Sequence, residues 1–586
     1  MARLKYNFTW KKCHRWFGLV LSVFMLVFCV SGIILNHREV FSGCEVSRKW
    51  LPASYHIKNF NNGVVKGTVV KNSGSLAISE GFSDSILVYG CAGVFLTDYQ
   101  LSTWQDFNAG LPKSIDERNV RHLVQARDGS LWCAALRDVY RYDENAQQWK
   151  KVELPGNEER IMDVALGKNS IQVVALTRSR IFEITPIASN IDVSESPSSL
   201  ASSAKGGVSE KSPDIFEKKS GGFSEKVGTF LGKYRVEAKI IPAPKNYEPK
   251  TTLFKLVWHL HSGEFFGLPG KLVVDAIALV LIVLSITGIL LFILPYGIRR
   301  AKKLAAKARM KRLGKQFAWN MKWHNKIGYV TIVLTLWIAI TGMCLRPPLM
   351  VPLVLSKLPQ AVGEDGNVWQ DKLRAIRWDA VQGDWLVSTS EGFLRVDEDF
   401  SQAPKMLPDD ECPKLSPMGV TVWESDGKGG WIVGSFRGIY RWNPVNHSLN
   451  QILDYFTGKP SEETSMIPIS DNLVCGYSED FLGGKPLVFD FAKGVEDAKG
   501  QAVALCNDEP KTSRNEESMS DLICETAPMS LWNVALELHV GRCYSPFLGP
   551  LSDLFVFLSG LLITLVLLSG YIISHRRRKK AQARLR

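Results

Sequence analysis

The sequence predicts a membrane protein of four transmembrane α-helices in two duplicated pairs, joined to an extracytoplasmic all-β, propeller-like domain assembled from two segments. Three observations predict it. Four uncharged stretches are long enough to cross a bilayer. These stretches and their flanks repeat without gaps between the two halves of the chain. The polar segments between them carry a second, shorter repeat of about 40–46 residues, in the range of propeller blades.

The spans come first. Trp16 to Leu35, Ala276 to Ile298, Ile327 to Leu345 and Leu554 to Ser574 are uncharged, and about 20 apolar residues cross the hydrocarbon layer. The first reads as an uncleaved anchor, because its apolar run exceeds the roughly 7–15 residues of a signal peptide and no A-x-A-like site follows. Residues 1–15 carry five Lys/Arg, residues 299–326 eleven and residues 576–586 seven, none with an acidic residue. The positive-inside rule places these three segments in the cytoplasm. The expected order is a cytoplasmic N-terminus (1–15), a span (16–37), an outside segment (38–253), and an outer re-entry with the second span (254–298). A basic loop (299–326), the third span (327–346), a second outside segment (350–528), re-entry with the fourth span (529–575) and a basic tail (576–586) follow.

The net charge of +13 arises from those three basic segments, since the other 48 Lys/Arg face 58 Asp/Glu. Nucleic-acid binding is therefore excluded as the reading, and the basic runs are assigned to topology and contact with membrane lipid. Eight of the eleven cysteines fall in or beside the outside segments, where disulfides are permitted. No CxxC or CxxCH occurs. Cys506 with Cys524 is one candidate bridge.

The long repeat sets "HRWFGLVLSVFMLVFCVSG" beside "HNKIGYVTIVLTLWIAITG", so that His14 falls on His324, Gly18 on Gly328 and Gly32 on Gly342. It also sets "LHSGEFFGLPGKLVVD" beside "LHVGRCYSPFLGPLSD", so that His261 falls on His539, Gly263 on Gly541 and Asp275 on Asp553. The short repeat appears in "LWCAALRDVYRYDENAQQWKKV", "WLVSTSEGFLRVDEDFSQAPKM" and "WIVGSFRGIYRWNPVNHSLNQI", with looser copies near residues 86, 171 and 472. Each copy is an apolar strand, a small-residue turn and an alternating strand, the pattern of a propeller blade. Blades are expected at about 76–186 and 368–492. Neither set closes a ring alone, so the two segments are expected to combine into about six or seven blades. Residues 187–228 are Ser/Gly/Lys-rich and read as a linker; residues 496–528 read as a polar loop.

Seven of the ten histidines lie at or near span ends: His14, His324 and His575 inside, His37, His259, His261 and His539 outside. Structural zinc wants tight local Cys/His clusters, and no HExxH is present. Haem in a helical bundle takes one axial ligand from each of two facing helices, so isolated histidines suit it. Gly18 and Gly328, four residues beyond His14 and His324 on the same helical face, would admit a flat macrocycle. The pattern predicts two haem b groups, an inner one on His14 and His324 and an outer one on His261 and His539. His37 with His261 or His539 is the competing outer pair. His259 faces Glu537 in the repeat and His37 faces Pro347, while His575 has no counterpart. Asp275 and Asp553 read either as first-turn helix acids or as hydrogen-bond partners for a ligand or a propionate.

The segments "HRWFGLVLSVFMLVFCVSGIIL", "HLHSGEFFGLPGKLVVDAIALVLIVLSITG" and "HNKIGYVTIVLTLWIAITG" resemble the PepSY-associated transmembrane helix family. That family includes inner-membrane proteins of bacterial iron uptake, among them haem-carrying siderophore reductases. The resemblance implies a bacterial cytoplasmic (inner) membrane protein. It implies electron delivery to an acceptor outside, a ferric siderophore or other ferric chelate or a redox partner protein, and it carries the ligand role onto His14, His261, His324 and His539. No GxGxxG follows a strand, so the donor is expected to be another protein or a quinol. A non-enzymatic sensor or receptor, whose propeller binds a ligand, is the rival reading.

Overall fold

The computed structural model describes residues 10–71, 85–101, 103–186, 229–231, 234–362, 365–415, 419–435, 438–451, 473–481, 483–497, 501–503, 523 and 527–585. The expected linker at 187–228 and the Cys506–Cys524 pair lie outside the described residues.

Among the described residues, seven helices longer than two turns form the apolar half of the molecule: α1 (Trp10–Asn36), α2 (Leu253–Ser262), α3 (Gly267–Lys303), α4 (Lys307–Val330), α5 (Ile332–Cys344), α6 (Leu531–His539) and α7 (Ser552–Leu585). Among the described residues three helical stretches are long and apolar enough to cross a membrane: His14–Asn36, Glu264–Lys303 and Ser552–Arg584. The fourth expected span is not one straight helix. It is α4 and α5, bent by 68° at Thr331. The basic stretch 299–326 is not a loop either. The helix α3 runs on to Lys303 and α4 begins at Lys307, leaving a three-residue corner with Ala305 at φ +52°. Lys and Arg are good helix formers, so the helices continue past the apolar residues. In the bundle α1 packs on α3 and α7, α3 on α4, and α5 on α7.

The polar half is built from six antiparallel sheets. Three come from the first segment, with inner strands Gly67–Lys71, His122–Gln125 and Ile161–Leu166; three come from the second, with inner strands Leu373–Asp379, Val422–Ser425 and Val474–Ser478. Hairpin meanders explain the repeat in the sequence. In four of the six sheets a glycine opens the third strand at positive φ: Gly93 (+112°), Gly392 (+137°), Gly438 (+118°) and Gly494 (+92°). A side chain there would be strained, and glycine is not. The third sheet holds a departure from the expected blade limits. Its outer strands lie beyond residues 187–228: Tyr234–Lys239 pairs back onto Ile181–Pro186, and Thr229–Leu231 pairs in turn onto Tyr234–Lys239.

Both faces of these sheets are apolar, because each is covered by a neighbour. Leu87 and Tyr89 pack on Leu123 and Trp149 of the second sheet. Trp132 and Val139 pack on Val173 and Phe182 of the third. Val174 and Ile181 meet Trp385 and Val387, Phe393 meets Trp423 and Trp442, and Ile432 meets Val474 and Val488. Finally Phe489 and Val495 of the sixth sheet pack on Ile86 and Phe95 of the first.

Polar ties join the inner strands. The His122 ring and the Arg377 guanidinium both pair with Asp163, at 3.2 and 2.6 Å. Arg377 Nε donates to Trp423 O (3.0 Å), Thr421 Oγ1 to Val474 O (2.7 Å), and Thr68 Oγ1 lies 2.7 Å from Ser478 Oγ. Burial pushes the Asp163 carboxyl up, but Arg377 and His122 outweigh it and hold it below the usual range.

Two short ribbons stitch the halves reciprocally. Glu45–Val46, after the first span, pairs with Met529–Ser530, which leads into α6. Lys250–Thr252, which leads into α2, pairs with Lys357–Pro359 after the third span. Each half's re-entry strand therefore rests on the other half's exit strand.

Glu424 supplies a test. Its half-buried carboxyl has no hydrogen-bond partner among the described residues; burial, then the nearby Asp163 and Asp480, raise its pKa against the pull of His122 and Arg377. A raised carboxyl makes the fold less stable as pH climbs from the usual 4.5 through the folded value, since the native state holds the proton more tightly than the unfolded chain. Glu424→Gln should thus raise the urea midpoint at pH 7 and leave it nearly unchanged at pH 4. An equal midpoint at pH 7 would count against this placement.

Candidate functional site

Both histidine pairs expected from the repeat meet in space. The His14 and His324 ring centres are 6.2 Å apart, and those of His261 and His539 are 6.1 Å apart. The first pair joins α1 to α4. The second joins the short helices α2 and α6, which re-enter beside α5 and α1. Along α1, His14 belongs to one pair and Ser31 touches the other, so the pairs are about 25 Å apart at 1.5 Å per residue.

Each ring is held the same way by a different helix. Nδ1 of His14 lies 3.1 Å from Ser569 Oγ and 3.0 Å from Val566 O. Nδ1 of His324 is 2.8 Å from Thr287 Oγ1, and Nδ1 of His261 is 3.0 Å from Thr341 Oγ1. Nδ1 of His539 is 2.9 Å from Ser31 Oγ and 3.1 Å from Phe28 O. All four hydroxyls already donate their hydrogen to a carbonyl of their own helix: Ser569 to Val566, Thr287 to Val283, Thr341 to Trp337 and Ser31 to Val27. A hydroxyl has one hydrogen, so toward the histidine each acts as an acceptor. The ring proton is thereby placed on Nδ1, and the lone pair is left on Nε2.

A glycine follows each hydroxyl residue and gives the ring its space. A Cβ on Gly342 would sit 2.8 Å from Cε1 of His261, and one on Gly570 2.9 Å from Cε1 of His14. At Gly32 the distance to His539 would be 3.3 Å, and at Gly288 to His324 3.7 Å. These, and not the expected Gly18 and Gly328, are the glycines against the rings; Gly18 faces Val566 and Gly328 faces Leu284. The signal was present in the sequence as a Ser/Thr-Gly dipeptide in each span, "VSGI", "ITGI", "ITGM" and "LSGY", although the fourth span also carries Ser559-Gly560, which faces Met343 and no ring.

The other expected residues lie apart from the pairs. His37 Nε2 is 2.6 Å from Asp275 Oδ2, and Asn36 Nδ2 donates to Oδ1 (3.0 Å). Asp553 pairs instead with Arg346 at 3.3 Å. Neither aspartate touches the outer pair, and only Asp553 lies in the first turn of its helix. His259 stands edge-on to Trp258. His575 stacks on Tyr329 and Tyr571, with Arg578 over Tyr329 at 3.9 Å.

What the pairs can do follows from their ligand count. Among the described residues no group of three or more His, Cys, Asp or Glu could hold a bare metal ion. Each pair, His14 with His324 and His261 with His539, would suit a metal whose other positions a macrocycle already fills.

A family model described as the PepSY-associated TM region matches residues 5–294 and again residues 292–578. No curated protein matches the chain in sequence. Similar solved structures include two descriptions of one extracellular domain from B. thetaiotaomicron, that of BT4673, as a candidate one component system and as a candidate hybrid two component system. They are 10% identical to the chain, with TM-scores of 0.29 and 0.28, covering 75% of this chain and 39% of each of theirs. The chain thus spans well under half the length of those structures.

The packing at the glycines predicts a reversal of sign. Replacing an unencumbered helical glycine by alanine stabilises by about 0.5–1 kcal/mol, and Gly314 has no neighbour within 4 Å. Gly314→Ala should raise the thermal midpoint of the detergent-solubilised protein. Gly342→Ala and Gly570→Ala should lower it, because the new methyl group displaces a hydrogen-bonded ring. Three increases would show that the rings have room to spare.

Proposed function

The chain belongs to the PepSY-associated transmembrane family, and from that premise we propose that it is a two-haem membrane electron carrier. One haem b lies between His14 and His324 and a second between His261 and His539. The observation that carries this reading is the ring spacing. An imidazole nitrogen sits about 2.0 Å from a bound metal, and its ring centre about 1.1 Å further on, so two trans imidazoles have centres roughly 6 Å apart. The pairs stand at 6.2 and 6.1 Å.

The hydrogen bonds support the same reading. A ligating histidine almost always donates its other ring N–H to a fixed acceptor, which sets the tautomer and raises ligand basicity. All four rings have such an acceptor on Nδ1. A haem held by two histidines takes up and releases one electron at its iron. The chain's own part is to hold the two ligand pairs on opposite sides of the bilayer and to exclude water between them with apolar helices. Cys29, Ile277 and Leu281 pack there.

In this reading the basic ends face the cytoplasm of a bacterial inner membrane, and the six sheets, as blades of one propeller, stand on the outer side. The acceptor is a ferric chelate in iron uptake or a redox partner protein, and the donor is a quinol or a cytoplasmic protein. Asp275, held by His37 and Asn36, positions the outer end of α3 against α1 and is not a ligand partner.

The test is optical. Protein purified after expression with ample haem should show a reduced b-type spectrum with about two haems per chain. His14→Ala and His324→Ala should each remove the same half of the signal, and His261→Ala and His539→Ala the other half. His37→Ala, His259→Ala and His575→Ala should retain both. Haem-free wild-type protein would sink the proposal and favour a sensor.

A further inference from the structure

One end of the sheet ring carries a concentration of cations that the electron-carrying reading does not use. Basic residues stand at the start of the inner strand in four successive sheets: Lys66 before Gly67, Arg121 before His122, Arg160 before Ile161, and Arg374 next to Leu373. Arg178, from the hairpin turn of the third sheet, and Arg38, just past α1, lie close enough to oppose the charge on Arg121 and Arg160.

This end faces the membrane helices. Asp116 receives both Arg38 contacts at 2.6 Å and an Asn533 contact from α6 at 3.4 Å. Asp371 pairs with Arg178 and with Lys255 of α2, each at 2.7 Å. Lys255 precedes His261 by six residues and Asn533 precedes His539 by six, so each stands about 9 Å along its helix from an outer histidine.

The cations outnumber their partners. Asp116 and Asp371 occupy Arg38, Arg178 and Lys255. Asp163 is taken by Arg377 and His122. Among the described residues no carboxylate pairs with Lys66, Arg121 or Arg160. Lys66 Nζ reaches only Asn119 Oδ1 (2.5 Å) and Val120 O (3.1 Å), and Arg121 Nη1 only the Met162 sulfur (3.5 Å). Arg178 Nε is buried with no hydrogen-bond partner. A guanidinium carries five donors, and leaving them without acceptors in a half-buried site is costly.

We propose that this cluster binds a polycarboxylate anion between the sheet ring and the outer histidine pair. Planar guanidinium groups take carboxylates in two parallel hydrogen bonds, and Arg121, Arg160 and Arg178 offer several such forks to one ligand. Burial first, and then mutual repulsion, lowers Lys66 to about 8, Arg160 to about 9 and Arg121 to about 10. A bound anion opposes both effects. The assignment rests on the two-haem reading for its purpose, since it names the chemistry of that protein's acceptor, but its test does not depend on haem.

Gallium(III) citrate is a redox-inert probe for equilibrium dialysis against the full-length protein in detergent. Saturable binding is expected, weakened about tenfold or more in the Arg121→Gln/Arg160→Gln variant and by a smaller factor in Arg121→Lys/Arg160→Lys, which keeps the charge but loses the bidentate fork. Raising salt from about 50 to about 500 mM, which shortens the Debye length roughly threefold, should weaken wild-type binding by at least about tenfold, a readout that needs no variant. No saturable binding, or binding indifferent to both salt and the glutamine variant, overturns the proposal. A glutamine variant that binds the probe normally but loses haem or shifts its spectrum also overturns it, because the guanidinium groups then serve haem propionates. Probe binding by haem-free wild type would sink the two-haem reading while leaving the anion site standing.

Discussion

A hydroxyl in an apolar helix has one hydrogen to donate, and the four hydroxyls that touch the paired histidines have already donated it. Ser31, Thr287, Thr341 and Ser569 bond back to their own helices, as Ser and Thr do in membrane spans. Each becomes an acceptor pointing sideways, and each receives a histidine from another helix. This single arrangement sets the ring tautomer, its rotation and the approach of two helices. The glycine that follows lets the ring lie close to the backbone. Four copies of a two-residue device therefore hold two histidine pairs about 25 Å apart without any cluster of ligands in the sequence.

The duplication explains why these devices work only across the halves. The helix α6 of the second half lies on α1 of the first, and α2 of the first lies on α5 of the second. The ribbons Glu45–Val46 with Met529–Ser530 and Lys250–Thr252 with Lys357–Pro359 repeat that exchange at the membrane surface. Three sheets from one half would leave an apolar face bare at each end. The contacts of Phe489 with the first sheet and of Trp385 with the third cover those faces. Neither half is a folding unit with a closed core of its own, so the symmetry of the sequence is also the condition for its burial.

Function concentrates where this symmetry is imperfect. Asn36 and His37 hold Asp275, whereas Arg346 holds Asp553. These two span ends are thus chemically different, one aspartate held by a histidine and an asparagine and the other by an arginine. The cation cluster is likewise lopsided, drawing on the first four sheets and not on the last two. The face between the sheets and the membrane helices is therefore directional, although the scaffold around it is nearly two-fold.

Much of this was legible in the residues. Apolar length marked the spans, because a bilayer demands it whatever the fold, and the gapless repeat paired His14 with His324 and His261 with His539 before any coordinates. His37, expected as the competing outer ligand although its repeat counterpart is Pro347, also stood at a span end, and only the tertiary structure puts its ring on Asp275. The 68° bend at Thr331 carried no proline to announce it, and the basic stretch 299–326 looked like a loop because charge hides helix propensity from a hydropathy reading. The return of Tyr234–Lys239 to the third sheet spans about 50 residues of sequence, a pairing that no local pattern encodes. The sequence by itself determined what must be buried in lipid, what repeats, and which histidines correspond. The tertiary structure decided which hydroxyl faces which ring and which cations share one mouth, because those depend on how separate elements pack, and local residue patterns do not specify packing at a distance.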